Sequence, residues 1–131
     1  MATEILVNDG GAPARILPFL AASAITAGDF LEITAAGKVQ PMTLDSSKTA
    51  GVALTDAPTA NDMVNVISGS GVIVRVKQDD DLTTGNIGMI DAAASEKGQI
   101  KLWADSSGNT EQLCVCLENA AADALVKVLL F

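Results

Sequence analysis

The sequence predicts an all-β protein, mostly strand with at most one short helix. The architecture is a small barrel or sandwich of two pseudo-repeated β units with an extended N-terminal arm. Three observations predict it. Short apolar runs recur along the chain, and from Thr49 to Lys77 they alternate with polar residues at the period of two that marks a half-buried strand. Breaks rich in Gly, Asp, Asn and Ser separate the runs, and no helix-period segment of ordinary length lies between them. Blocks of the first half return in the same order in the second.

Residues 1–13 read as an arm. Ile5-Leu6-Val7 is a short apolar clip, and Asn8-Asp9-Gly10-Gly11 is a strong turn or joint. So short a segment cannot pack by itself; it is either mobile or docked on something else. Residues 14–131 form a single β domain. Ala14 to Leu20 is its first strand, confined by Pro18 to a sheet edge. Ala21 to Ala24 is a turn or one helical turn, since alanine favours helix. Ile25 to Asp29 is a turn, Phe30 to Ile33 a strand, Ala36-Gly37-Lys38 a turn and Val39 to Met42 a strand. Leu44 to Lys48 is a polar loop.

Gly51–Leu54, Met63–Ile67 and Val72–Val76 then read as a three-strand meander, joined by an Asp-Ala-Pro-Thr-Ala-Asn-Asp loop and by Ser68-Gly-Ser-Gly71. Gln78-Asp79-Asp80-Asp81 ends this run. Asp81 suits the N-cap of a short helical turn. The three adjacent acids lack the alternate ligand spacing and the downstream Glu of a calcium loop, so they read as a solvated acidic loop. The final run, Ala124 to Phe131, is apolar enough to pair into the sheet.

The pseudo-repeats span about 25–77 and 82–131. Leu82-Thr-Thr-Gly85-Asn86 matches Ile25-Thr-Ala-Gly28-Asp29, and Gly98-Gln-Ile100 matches Gly37-Lys-Val39. Ser106-Ser107 matches Ser46-Ser47, Val115-Cys-Leu117 matches Val52-Ala-Leu54, and Val126-Lys-Val128 matches Val64-Asn-Val66. Each unit is four short strands, too small for a core of its own, so the two pack as pseudo-symmetric halves.

Composition narrows the function. A 131-residue chain that is 49% hydrophobic is expected to bury a core without disulfide or metal, and its apolar excess points to a partner surface. Net charge is −8, and no Lys/Arg cluster interrupts it, so nucleic acid is not an expected partner. No run has the length of a membrane span, and Ile16 to Ala24 is interrupted by Pro18 and preceded by Glu4 and Asp9, against a signal peptide. Aromatic residues are only 3%, which leaves little for stacking platforms.

Catalytic chemistry lacks its usual parts. Histidine is absent, which removes the commonest general base and zinc ligand together. Cys114 and Cys116 would share one face of a strand, where they cannot readily bond each other, and no second cluster completes a metal site. They read as small buried apolar side chains in a reducing compartment. Gly69-Ser-Gly71 precedes a strand and lacks the helix of a phosphate-binding loop. Trp103 reads as a core or rim anchor. No cofactor, metal or enzymatic activity is expected.

Several stretches together resemble phage capsid decoration (cement) proteins, both the small phage-encoded cement proteins and the lambda-type head-decoration proteins. They are Asp9-Gly-Gly-Ala-Pro-Ala, Ala27-Gly-Asp-Phe-Leu, Gly37-Lys-Val39, Ala50-Gly-Val-Ala-Leu54 and Ser68-Gly-Ser-Gly-Val72. The resemblance runs from about Asp9 to Val76 and rests on glycines and strands, not on a catalytic signature. It implies a virion protein, made in the host cytoplasm and placed on the outer capsid surface, with the major capsid protein and itself, as a homotrimer, for partners. Under it, Ile5, Leu6, Val7 and Asn8 are the capsid-contact residues, the clip pairing with a capsid strand by β-augmentation. Binding to the expanded shell alone would stabilise that state by linkage. A tail, fibre or host-surface module is the alternative; it would favour exposed aromatics, which are scarce here.

Overall fold

A computed structural model describes residues 5–8, 15–43, 49–78, 81–91, 97–103, 112–121 and 124–131. The described residues form strands and turns without helix, so the fold is all-β. The strands are β1 (Leu6–Asn8), β2 (Arg15–Leu20), β3 (Phe30–Ile33), β4 (Val39–Pro41), β5 (Thr49–Ala53) and β6 (Met63–Ser68). They continue as β7 (Ile73–Lys77), β8 (Ile87–Ile90), β9 (Ile100–Leu102), β10 (Cys114–Cys116) and β11 (Leu125–Leu130). One sheet has the order β2-β6-β5-β3-β4 and the other β1-β7-β11-β10-β8-β9, with every named pair antiparallel.

Without β1 the two orders are the same, with β2 to β6 standing for β7 to β11. The match extends to single hydrogen bonds. Gly28 N–H donates to Ala53 O and Gly85 N–H to Cys116 O; Ala57 N–H donates to Ile25 O and Ala120 N–H to Leu82 O. Parallel bridges at Ala21–Val39 and Gln78–Ile100 join the outer strand of each unit to its last strand, curling both sheets towards closure. Each unit therefore contains five strands, not four. The boundary between units lies at 69–72, so the first repeat starts at β2 and the second at β7. The Ser68-Gly-Ser-Gly71 break does not close a hairpin: β6 pairs with β2 and β5, while β7 crosses into the other sheet. Asp81 stands before an ordinary turn and caps no helix.

Alternation in β3, β5 and β6 serves two cores at once. Leu31, Ala53, Val64 and Val66 face the interior of the first unit with Ala21, Ile25, Val39 and Ala57. Phe30, Val52 and Ile67, which are cross-strand neighbours in one row, face the other way. With Met42 they join the core of the second unit, among Val74, Ile90, Ile100, Cys114, Val128 and Leu130. Full burial of side chains of this size stabilises by about 1.5–3 kcal/mol each, so this row is the main bond between the units. Backbone ties add to it: Phe30 N–H donates to Gly98 O and Gly98 N–H to Met42 O.

The interior pair at the middle of each unit is filled once. In the first unit Leu31 stands opposite Gly51; in the second Gly88 stands opposite Cys114. Gly51 has φ +141°, and a Cβ there would lie 2.2 Å from Ile67 O. Only glycine allows this approach of β5 to β6.

Candidate docking surfaces

Of the contact residues expected from the sequence, Leu6, Val7 and Asn8 form β1 and Ile5 directly precedes it. Its inner edge is already paired: Leu6 stands opposite Val74, Asn8 opposite Ile73, and Arg75 N–H donates to Ile5 O. Ile5 is only 4% exposed and belongs to the core of the second unit, with Leu6 packed against that core. The clip is thus docked on its own domain. β1 ends the strand order of its sheet, and its other edge faces away from β7.

Among the described residues, the first unit has no such cover. β2 ends its sheet, and Ile16, Leu17 and Leu20 are exposed on it, beside exposed Met63 of β6. Pro18 occupies the position that Arg75 holds in β7, so the donor that grips Ile5 has no counterpart on β2. An edge proline is a common device against unwanted strand addition. What β2 offers is apolar side chains more than a hydrogen-bonding edge.

Other groups with chemical potential lie mostly buried. Asp29 is buried; its Oδ2 accepts from Thr26 N–H and its Oδ1 lies 3.1 Å from Lys77 Nζ. Burial pushes its carboxyl up from the ordinary value of 3.8, against the opposing pull of the Thr26 hydrogen bond and the Lys77 ammonium. This pair borders a cleft of about 380 Å³ lined also by Lys97, Ser23, Thr43 and Gln99. A second cleft, of about 220 Å³ and lined by Phe30, Gly51, Leu113 and Phe131 among others, is smaller than ordinary small-molecule sites. Cys114 and Cys116 are buried free thiols, and burial raises both above their usual range, the reverse of a reactive cysteine. Trp103 is half-buried just after β9. Among the described residues no cluster of metal-ligating side chains occurs.

No family model matches the sequence, and no curated protein matches it either. Solved structures do. The fold is similar to that of the head fiber gp8.5 N base of bacteriophage phi29, with a TM-score of 0.69 and 16% sequence identity, over 91% of this chain and 95% of that one.

Proposed function

We propose that this protein is a structural, non-enzymatic component of a phage virion that binds the outer surface of an icosahedral head and stabilises the expanded shell. The observation that carries the reading is the likeness in fold, over nearly the whole of both chains, to the base of a phage head fibre. The decoration-protein resemblance of the sequence points to the same location independently. The proposed partners are the major capsid protein and further copies of the chain, as a homotrimer. No nucleic acid, membrane or cofactor enters the role.

In this reading Ile5 to Asn8 keep their contact role through the open edge of β1, which would accept a capsid strand while the inner edge stays on β7. A second reading, favoured by the fibre-base likeness, makes the chain the attachment module of a longer head appendage; capsid binding is common to both. The test is co-sedimentation of purified protein with expanded empty phage shells. Saturable binding at a fixed ratio to the major capsid protein, with raised resistance of the shell to heat, is the expected result. Binding without stabilisation would favour the attachment reading, and absence of binding would overturn both.

A further inference from the structure

Among the described residues, the interface between the two units is made once within the chain, and the equivalent of each half recurs, without that partner, on the other unit. The inserting half in the first unit is Phe30, Met42, Val52 and Ile67, all buried against the second unit. Their counterparts in the second unit are Ile87, Trp103, Val115 and Leu129. Pairing confirms the equivalence: Val115 stands opposite both Ile87 and Leu129, as Val52 does opposite Phe30 and Ile67. Trp103 N–H donates to Ile87 O as Met42 N–H does to Phe30 O. All four counterparts are apolar, and all four are partly exposed, where Phe30, Met42, Val52 and Ile67 are buried.

The receiving half shows the reverse. In the second unit Val74 and Ile90 line the sheet interior at 0% and 1% exposure, in one core with the row from the first unit and Ile5. Their counterparts in the first unit are Leu17 and Ile33, on the same inner face by their pairing with Val66 and Val39. They are 43% and 54% exposed, with no cover among the described residues. Among the described residues, each chain therefore presents a partly exposed apolar row on one unit and an exposed apolar rim on the other.

We propose that copies of this protein associate head to tail, the Ile87–Trp103–Val115–Leu129 row of one copy covering the Leu17–Ile33 rim of the next. The occupant is a second copy because the two surfaces repeat, position for position, an interface the chain already makes inside itself. Such a contact is heterologous: the same rotation applied again adds another copy, until a ring closes or a filament runs on. The inference stands on the fold alone and holds with or without a capsid partner.

The test uses two charge substitutions on opposite halves. Ile33→Lys spoils the rim, and Leu129→Lys spoils the row at an outward position of β11, where Lys127 already points the same way. Wild-type protein should exceed monomer mass by light scattering over a dilution series. Each variant alone should fall to monomer, its self-association weakened roughly thirtyfold or more. Mixed together, the two should form a one-to-one heterodimer and go no further, since each retains the half that the other lacks. Circular dichroism and thermal melting check folding, and Leu17→Lys with Ile87→Lys is the replacement pair if either variant fails to fold. A monomeric wild type, unchanged mass in both variants, or a mixture that stays monomeric would each overturn the proposal.

Discussion

Asp29 and Asn86 hold the same turn in the two units, with one important difference. Asp29 Oδ2 accepts from Thr26 N–H, and Asn86 Oδ1 accepts from Thr83 N–H, both at 2.9 Å. A second side chain serves the next amide in each case: Asp56 Oδ1 accepts from Ala27 N–H and Asn119 Oδ1 from Thr84 N–H. Two acids in the first unit thus do what two amides do in the second. The geometry needs only an oxygen acceptor, so the charge on Asp29 is separable from its structural task. Its buried position beside Lys77 is where the charge matters.

That separation predicts a pH signature. The folded protein holds the Asp29 proton more tightly than the unfolded chain does, because burial disfavours the carboxylate. The stability this group contributes is therefore fully present below 3.8 and is lost as pH rises through the raised folded value. Asp29→Asn keeps the acceptor for Thr26 and removes the titration. Urea midpoints measured at several pH values from 3 to 7 should show the wild type losing stability relative to the variant as pH rises. A constant difference across that range would mean that burial does not govern Asp29.

The glycine pair gives a contrast within one molecule. Gly51→Ala places a methyl against the Ile67 carbonyl in a strained backbone region and should cost at least about 2 kcal/mol. Gly88→Ala meets Cys114 Sγ at 2.9 Å and Ile100 Cδ1 at 3.0 Å, side-chain atoms that can turn aside. Its cost should be clearly smaller. Chemical denaturation of the two variants checks the order.

Ile5 turns the arm into part of the core. Ile5→Ala should lower stability by roughly 2–4 kcal/mol, as for other buried isoleucines. Hydrogen exchange should then quicken first at Arg75, whose amide is bonded to Ile5 O. Removing the arm to test capsid binding would also uncover Val74, so binding should be compared with Leu6→Asp, which spares Ile5.

The thiols offer a probe of integrity. Cys114 and Cys116 are buried and carry raised pKa values, so an aromatic disulfide reagent near neutral pH should find no reactive thiol in the folded protein. Two should appear on unfolding. Rapid native labelling of either would show that β10 opens.

Much of this fold was legible because its repeats share turn chemistry. The Thr-x-Gly-Asp/Asn turn, the Gly37 and Gly98 turns, and the Val52/Val115 and Val64/Val126 strands align in the structure as they do in the sequence. The Ser46 and Ser106 blocks lie outside the described residues. The strands at Ala14 to Leu20 and Val72 to Val76 were legible too; what escaped was that they are equivalent and that each opens its unit. β2 is Arg-Ile-Leu-Pro-Phe-Leu, apolar throughout after Arg15 and at the edge of its sheet, whereas β7 is Ile-Val-Arg-Val-Lys, alternating and covered by β1. Different surroundings select different side chains, so no resemblance between the two strands survives. Proximity in sequence then drew β7 into a meander with β6. The docking of Ile5 was equally hidden, because a three-residue apolar clip carries no signal of which edge it joins.

The unequal burial of equivalent residues yields the last prediction. Phe30 and Ile87 occupy matching places at the start of β3 and β8, but Phe30 is buried between the units and Ile87 is partly exposed. Phe30→Ala removes a side chain from the row that joins the units and leaves a cavity, a loss of roughly 3–5 kcal/mol. Ile87→Ala in the isolated chain removes a partly wet side chain and should cost less than half of that. If copies associate through the Ile87 row, the cost of Ile87→Ala should rise with protein concentration, because association stabilises the folded chain by mass action. Thermal melts over a hundredfold range of concentration separate the two contributions. A concentration-independent difference between wild type and Ile87→Ala would confine that side chain to the fold of a single chain.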